Sequence, residues 1–176
     1  MNKIRLAGLS MIVLAAAASR LIPHPPNFTP IAAIALFGGA TFSDKRLAFL
    51  VPLLAMALSD IVIGGFSIVT PFVYTSFSAI VCIGLLLRAS KDPIRIGGAS
   101  VAGALLFFVV TNFAVWLVAG YYPKTLAGLE ACFVAAIPFF RNTLLSDLLY
   151  TGLLFGLWFL AERRWPSLAA SHATSS

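Results

Sequence analysis

Long apolar runs separated by short polar turns make up most of this chain, and their lengths and breaks predict helices. The first run extends from about Ile4 to Ile22. Pro23, Pro25 and Pro26 stop it, because proline lacks the N–H donor and clashes with the preceding turn. The second run, about Pro30 to Phe42, is rich in Ala and Gly, with Ala35 and Gly39 in the small-xxx-small spacing that lets helices approach closely. At 1.5 Å per residue it is short for a bilayer, so it is expected to begin partway into the membrane with the loop 24–29 folded inward. A turn at Asp44, Lys45 and Arg46 leads into a third run, about Leu47 to Gly64. Gly64 and Gly65 make the next turn, and a fourth run covers about Ile68 to Leu87. The loop Arg88 to Arg95 precedes a fifth, about Ile96 to Ala119. The stretch Leu126 to Phe140 is interrupted by Glu130 and expected to end at Pro138, which reads as a re-entrant or surface-lying helix. The last run, about Asn142 to Leu160, is expected to start with Asn142 as its N-cap. The pattern thus predicts an all-α polytopic membrane protein. It has six transmembrane helices and one extra helix between the fifth and sixth, in a single domain over residues 1–166 with a disordered polar tail at 167–176.

Composition agrees. Of 176 residues, 60% are apolar and 10% charged, against about 25% charged in a soluble domain. The net charge of +6 does not point to nucleic acid, because the basic residues lie in short loops between apolar runs, where they set topology. With the N-terminus inside, nine of the twelve Lys and Arg residues fall on the inner side: Lys3, Arg5, Lys45, Arg46, Arg88, Lys91, Arg95, Arg163 and Arg164. Arg20, Lys124 and Arg141 fall outside. A seventh crossing at 126–140 would weaken that bias. The expected location is the bacterial cytoplasmic membrane, with both termini cytoplasmic. Residues 1–18 also resemble a secretory signal, but further apolar runs follow at once, which favours an uncleaved first helix. Cys82 and Cys132 lie in apolar runs outside any CxxC pair and read as buried packing residues. Trp158 and Trp165 suit the inner interface.

Orientation fixes the depth of the polar residues inside the runs. Asp60 and Asp147 both come out on the order of 6–8 Å below the outer boundary, and Asn112 some 10 Å below it. Tyr74 and Trp116 lie in the outer halves of their runs, and Asn27, in the loop, and Arg141 share that side. A carboxylate in a membrane is costly unless paired or wetted, so each is a functional candidate. The inner half reads as nearly bare of such groups. An outward-facing polar bowl on an apolar base suits capture of a small ligand, whereas a pore or proton relay needs polar groups at several depths. Each residue also has a structural reading: Asp60 or Asp147 could pair with Arg20 or Arg141 only to hold helices together, and Asn112 could simply bond a neighbouring helix. The segments Leu58-Ser59-Asp60 and Leu145-Ser146-Asp147 echo one another, which three shared residues leave as coincidence.

No HExxH, GxSxG, phosphate loop or metal-spaced Cys/His set occurs. No enzyme activity, cofactor or metal is expected.

The proline-bearing loop PHPPNFTP (23–30), the run Pro30-Ile31-Ala32 through Leu36-Phe37-Gly38-Gly39, and Asp60 near the end of the third run carry a resemblance. The layout from Leu6 to Ala161 resembles the substrate-binding S components of energy-coupling factor (ECF) transporters. ALFGGA (35–40) and PFFRNTLLSDLLYTGLLFG (138–156) are also similar to a group of uncharacterised small bacterial integral membrane proteins. The first resemblance implies a pocket beneath the loop after the first helix, a vitamin or vitamin-like ligand, and a transmembrane coupling subunit with ATPases as partners. The expected substrate-binding residues are Asn27, Asp60, Tyr74, Asn112, Trp116, Arg141 and Asp147. The alternative is a structural or assembly subunit with no small-molecule ligand.

Overall fold

The chain folds around its shortest helix. The computed structural model describes residues 3–88 and 90–168, and among them are six α-helices and no strand. They are α1 (Lys3–Ala18), which continues into a 3-10 turn at Ser19–Leu21, α2 (Ile31–Thr41), α3 (Lys45–Ile63), α4 (Thr70–Leu86), α5 (Pro93–Val118) and α6 (Leu126–Arg164). Helix α2 packs against all five others, and every residue from Ile31 to Gly39 is buried. That explains a sequence apolar on all sides, since a helix enclosed by neighbours has no wet face to mark.

Small residues make the centre possible. α2 and α4 cross at Gly39 and Gly84: a Cβ on Gly39 would stand 2.2 Å from the Val81 carbonyl oxygen, and one on Gly84 2.3 Å from that of Leu36. Backbone cannot rotate away as a side chain can. Gly84→Ala is expected to lower stability by about 1–3 kcal/mol, the usual penalty of overpacking, read as a lower melting temperature in detergent.

Elsewhere each helix buries one stripe. α1 buries Arg5, Leu9, Val13 and Ala17, four residues apart. α3 and α5 start at capping carboxylates, Asp44 accepting from Arg46 N–H at 2.8 Å and Asp92 from Ile94 N–H at 2.9 Å. The outward faces are apolar, with Leu54, Leu58, Ile61 and Val62 of α3 and Leu145, Leu149, Leu153 and Leu157 of α6 exposed. Four helical segments, Lys3–Leu21, Lys45–Ile63, Pro93–Val118 and Leu126–Arg164, are long and apolar enough to cross a membrane, while α2 and α4 are apolar but shorter. This is the surface and the helix inventory of a membrane protein.

Five expectations change. The segment 126–140 is not a separate helix: it is the first part of α6, a continuous 39-residue helix running through Pro138. At 1.5 Å per residue α6 is about 58 Å long, well beyond a hydrocarbon core of about 30 Å. Its N-cap is Thr125, which accepts from Gly128 N–H at 3.1 Å, and Asn142 lies in mid-helix. Cys82 is exposed, whereas Cys132 is buried. Trp158 is no interfacial residue: it is 1% exposed and edge-on to Phe37 at 6.3 Å. Of the tail expected to be disordered, Ser167 and Leu168 belong to a 3-10 turn, Pro166–Leu168, packed on α1; residues 169–176 lie outside the described residues.

Candidate functional site

At the N-terminal end of α2 the helices part around a cavity of about 300 Å³. Its walls come from the 3-10 turn and the loop after it (Arg20, His24, Asn27, Thr29), from α2 (Ile31, Ala32), α3 (Met56, Asp60), the α3–α4 turn and α4 (Gly65, Ser67, Thr70, Val73, Phe77), α5 (Phe107) and α6 (Thr143, Asp147). The loop is tied to α6: Asn142 Nδ2 donates to the Pro26 carbonyl at 3.0 Å, and Phe28 meets Tyr150 edge-on at 6.2 Å. Asn27 takes a left-handed conformation at φ 60°, which asparagine tolerates better than most residues. The prolines that end α1 therefore supply a fixed rim.

The two carboxylates at this cavity differ in kind. Asp60 sits one turn before Gly64, whose left-handed conformation ends α3 with its N–H on the Asp60 carbonyl at 2.8 Å. The Asp60 side chain is fully engaged. Arg20 Nη1 donates to Oδ1 at 2.7 Å and also to Ser59 Oγ, and Tyr74 Oη donates to Oδ2 at 2.9 Å. The pair is buried, at 16% and 5% side-chain exposure. Asp147 is 2% exposed, and its Oδ2 has no hydrogen-bond partner. Below it a narrow cleft, too tight for water, runs between α2, α4 and α5 past Ala32, Leu36, Ile80, Ser100 and Gly103.

Of the seven residues expected at the site, Asn27, Asp60 and Asp147 border this cavity. Tyr74 does not border it and reaches it only through Asp60; it borders a separate hollow against α3. Asn112 lies in an adjoining cavity of about 240 Å³ between α5 and α6, which Asn27, Phe107 and Thr143 also border, and its side chain is tied back to the Phe108 carbonyl at 2.7 Å. Two do not join. Trp116 is at the far end of α5, where its Nε1 donates to the Pro123 carbonyl at 2.9 Å and Lys124 Nζ lies 5.3 Å from its ring. Arg141 is exposed and borders neither cavity, so the partner of Asp60 is Arg20. The reading from sequence left Thr143 out; its position one turn before Asp147 on the same face of α6 was the available signal.

The opposite end of α2 is polar too, against the expectation of a bare half. Glu162 accepts from Arg5 Nη1 at 2.7 Å, Trp158 Nε1 at 3.0 Å and Lys91 Nζ at 3.2 Å. Arg5 also donates to the Thr41 and Leu168 carbonyls, and Arg88 to those of Gly39 and Phe42. Two arginines thus serve the carbonyls that α2 leaves open at its C-terminus. A second cavity, about 450 Å³, lies beside them. Packed side chains including Leu36 and Phe37, each at most 1% exposed, separate the two ends. No group of three or more His, Cys, Asp or Glu able to hold a metal occurs among the described residues.

A model described as a family of unknown function (DUF6580) matches residues 1–168, and the chain belongs to that family. No curated protein and no solved structure matches it.

Proposed function

We propose that the chain is a membrane-embedded binding protein that captures a vitamin-like micronutrient from the outer face for uptake, in the manner of the S components it resembles. The observation that carries this reading is Asp147: a buried, unpartnered carboxylate beside a cavity of about 300 Å³. An unpaired intramembrane carboxylate is expensive and is by default a candidate functional site. The cavity is at the low end of small-molecule sites, roughly 300–1,000 Å³, which favours a compact ligand and disfavours one as large as a corrinoid. In this reading all six helices cross the membrane, α2 and α4 as short crossings, and the cavity end of α2 faces outward, as the loop charges require. The packed middle of α2 argues for capture over open conduction. Energised transport would then fall to a partner, a coupling subunit with ATPases.

A second reading, a structural subunit, draws on the Arg20–Asp60–Tyr74 set, in which both Asp60 oxygens are bonded within the protein. The two separate on one experiment. Protein extracted from its native membrane into nanodiscs is analysed by mass spectrometry for retained small molecules, and each is tested for raising the melting temperature. A retained, stabilising compound is expected. Nothing retained, and no stabilisation by a metabolite extract, would leave the structural reading.

A further inference from the structure

We infer that the ligand is a compact zwitterion, its cationic nitrogen held by Asp147 and its anionic group by the first turn of α2. This rests on the small-molecule reading above and names the class of ligand. Three observations bear on it.

The first is charge. Arg20 and Asp60 neutralise one another at 2.7 Å, although Arg20 Nε, at the same cavity, is a buried donor with no hydrogen-bond partner among the described residues. Asp147 is the acid at this cavity without a partner: its Oδ2 is buried and unbonded. A buried carboxylate oxygen calls for a donor, and a cationic one repays its desolvation best.

The second is backbone. α2 begins at Pro30 without a side-chain cap. Its first intrahelical bond is Ile34 N–H to the Pro30 carbonyl, at 2.8 Å, so the N–H groups of Ile31, Ala32 and Ala33 precede the ladder. Among the described residues no acceptor reaches them. These three residues are 4%, 8% and 1% exposed, and a buried helix start normally has its donors met. Ile31 and Ala32 face the cavity. Free N–H groups at the positive end of a helix dipole form an anion site, and a half-length helix doing so within a membrane is a known way to hold a substrate carboxylate.

The third is proximity. Ala32 and Asp147 border both the cavity and the narrow cleft beneath it. The two demands, one for positive and one for negative charge, therefore arise side by side. A cation alone leaves the α2 donors unmet, and an anion alone faces Asp147. A small molecule carrying an ammonium close to a carboxylate meets both.

The test uses the full-length protein in nanodiscs and matched probes that differ in which charged groups they carry: leucine, 3-methylbutylamine and 4-methylpentanoate; phenylalanine, phenethylamine and 3-phenylpropanoate. Binding is followed by equilibrium dialysis and melting temperature. In at least one set the zwitterion is expected to bind roughly tenfold or more tighter than either relative, because each relative leaves a buried group unpaired. Asp147→Asn, which keeps the side chain's shape, is expected to remove the preference over the acid-only relative. Should that variant fail to fold, the ratios within each set in the unsubstituted protein decide alone. An amine or an acid binding as tightly as its zwitterion overturns the inference, as does failure of every set. A neutral or purely anionic compound that copurifies and stabilises would also overturn it, yet would sustain the uptake reading. Nothing copurifying and no stabilisation by a metabolite extract would remove both.

Discussion

Replacing Asp60 with alanine is expected to cost about 3–5 kcal/mol of stability, the usual loss when one partner of a buried ion pair is removed. Arg20 would be left with Ser59 alone, and Tyr74 would lose its acceptor. The comparison that isolates the cause is the double variant Asp60→Leu with Arg20→Met. Removing both charges leaves no orphan, so it should recover most of the loss, because buried pairs exchanged for apolar groups of similar volume are often neutral in stability. Melting curves in one detergent suffice. A single variant within about 1 kcal/mol of the parent would mean that the pair behaves as if exposed and that the site geometry is wrong. The same result separates the two carboxylates: the loss at Asp60 needs no ligand, whereas Asp147 Oδ2 has no hydrogen-bond partner among the described residues.

Much of this arrangement was legible in the residues. The prolines at 23, 25 and 26, the turn at Asp44 and the Gly64 turn each mark a helix boundary locally: α3 runs from Lys45 to Ile63, while α1 ends at Ala18 and its 3-10 continuation at Leu21, just short of the prolines. The common depth of Asp60 and Asp147 follows from counting residues to the ends of apolar runs, and the fold does bring them to one cavity. Both serines of the Leu-Ser-Asp echo, Ser59 and Ser146, are buried. Which aspartate has a partner was not legible, because it depends on where the 3-10 turn after α1 aims Arg20, and no local pattern sets that.

Position 138 shows the opposite failure. Proline removes one helix hydrogen bond and disfavours continuation, and the prediction of an ending there rested on that local cost. The α5–α6 packing outweighs it. Phe108 of α5 meets Phe133 on one side of the proline and Phe140 on the other, at 5.4 and 4.7 Å, and Cys132 Sγ donates to the Asn112 carbonyl at 3.4 Å. Tertiary contacts on both sides hold the axis through it. Asn142 then has no helix start to cap and serves the loop instead.

Glu162→Ala is expected to be as damaging as the loss of Asp60, again about 3–5 kcal/mol, and for a reason that reaches into α2. Glu162 and Arg5 side chains are 10% and 8% exposed. The glutamate orients the guanidinium that donates to the Thr41 carbonyl at the C-terminal end of α2, and the same group lies 5.1 Å from the Trp158 ring. Without the carboxylate, the Arg5 guanidinium loses its Glu162 partner and keeps its bonds to the Thr41 and Leu168 carbonyls. Glu162→Gln keeps the acceptor oxygen and should lie between alanine and the parent. Lys91 bonds the same carboxylate with its own side chain 67% exposed, so Lys91→Ala should cost only about 0–1 kcal/mol. The order Ala, then Gln, then Lys91→Ala, from most to least destabilised, tests whether the buried pair or the general positive charge of this end holds α2. Equal melting temperatures for Glu162→Ala and Lys91→Ala would show the second. Because this end is separated from the cavity by the packed middle of α2, ligand affinity measured well below the melting temperature should be the same in all three variants.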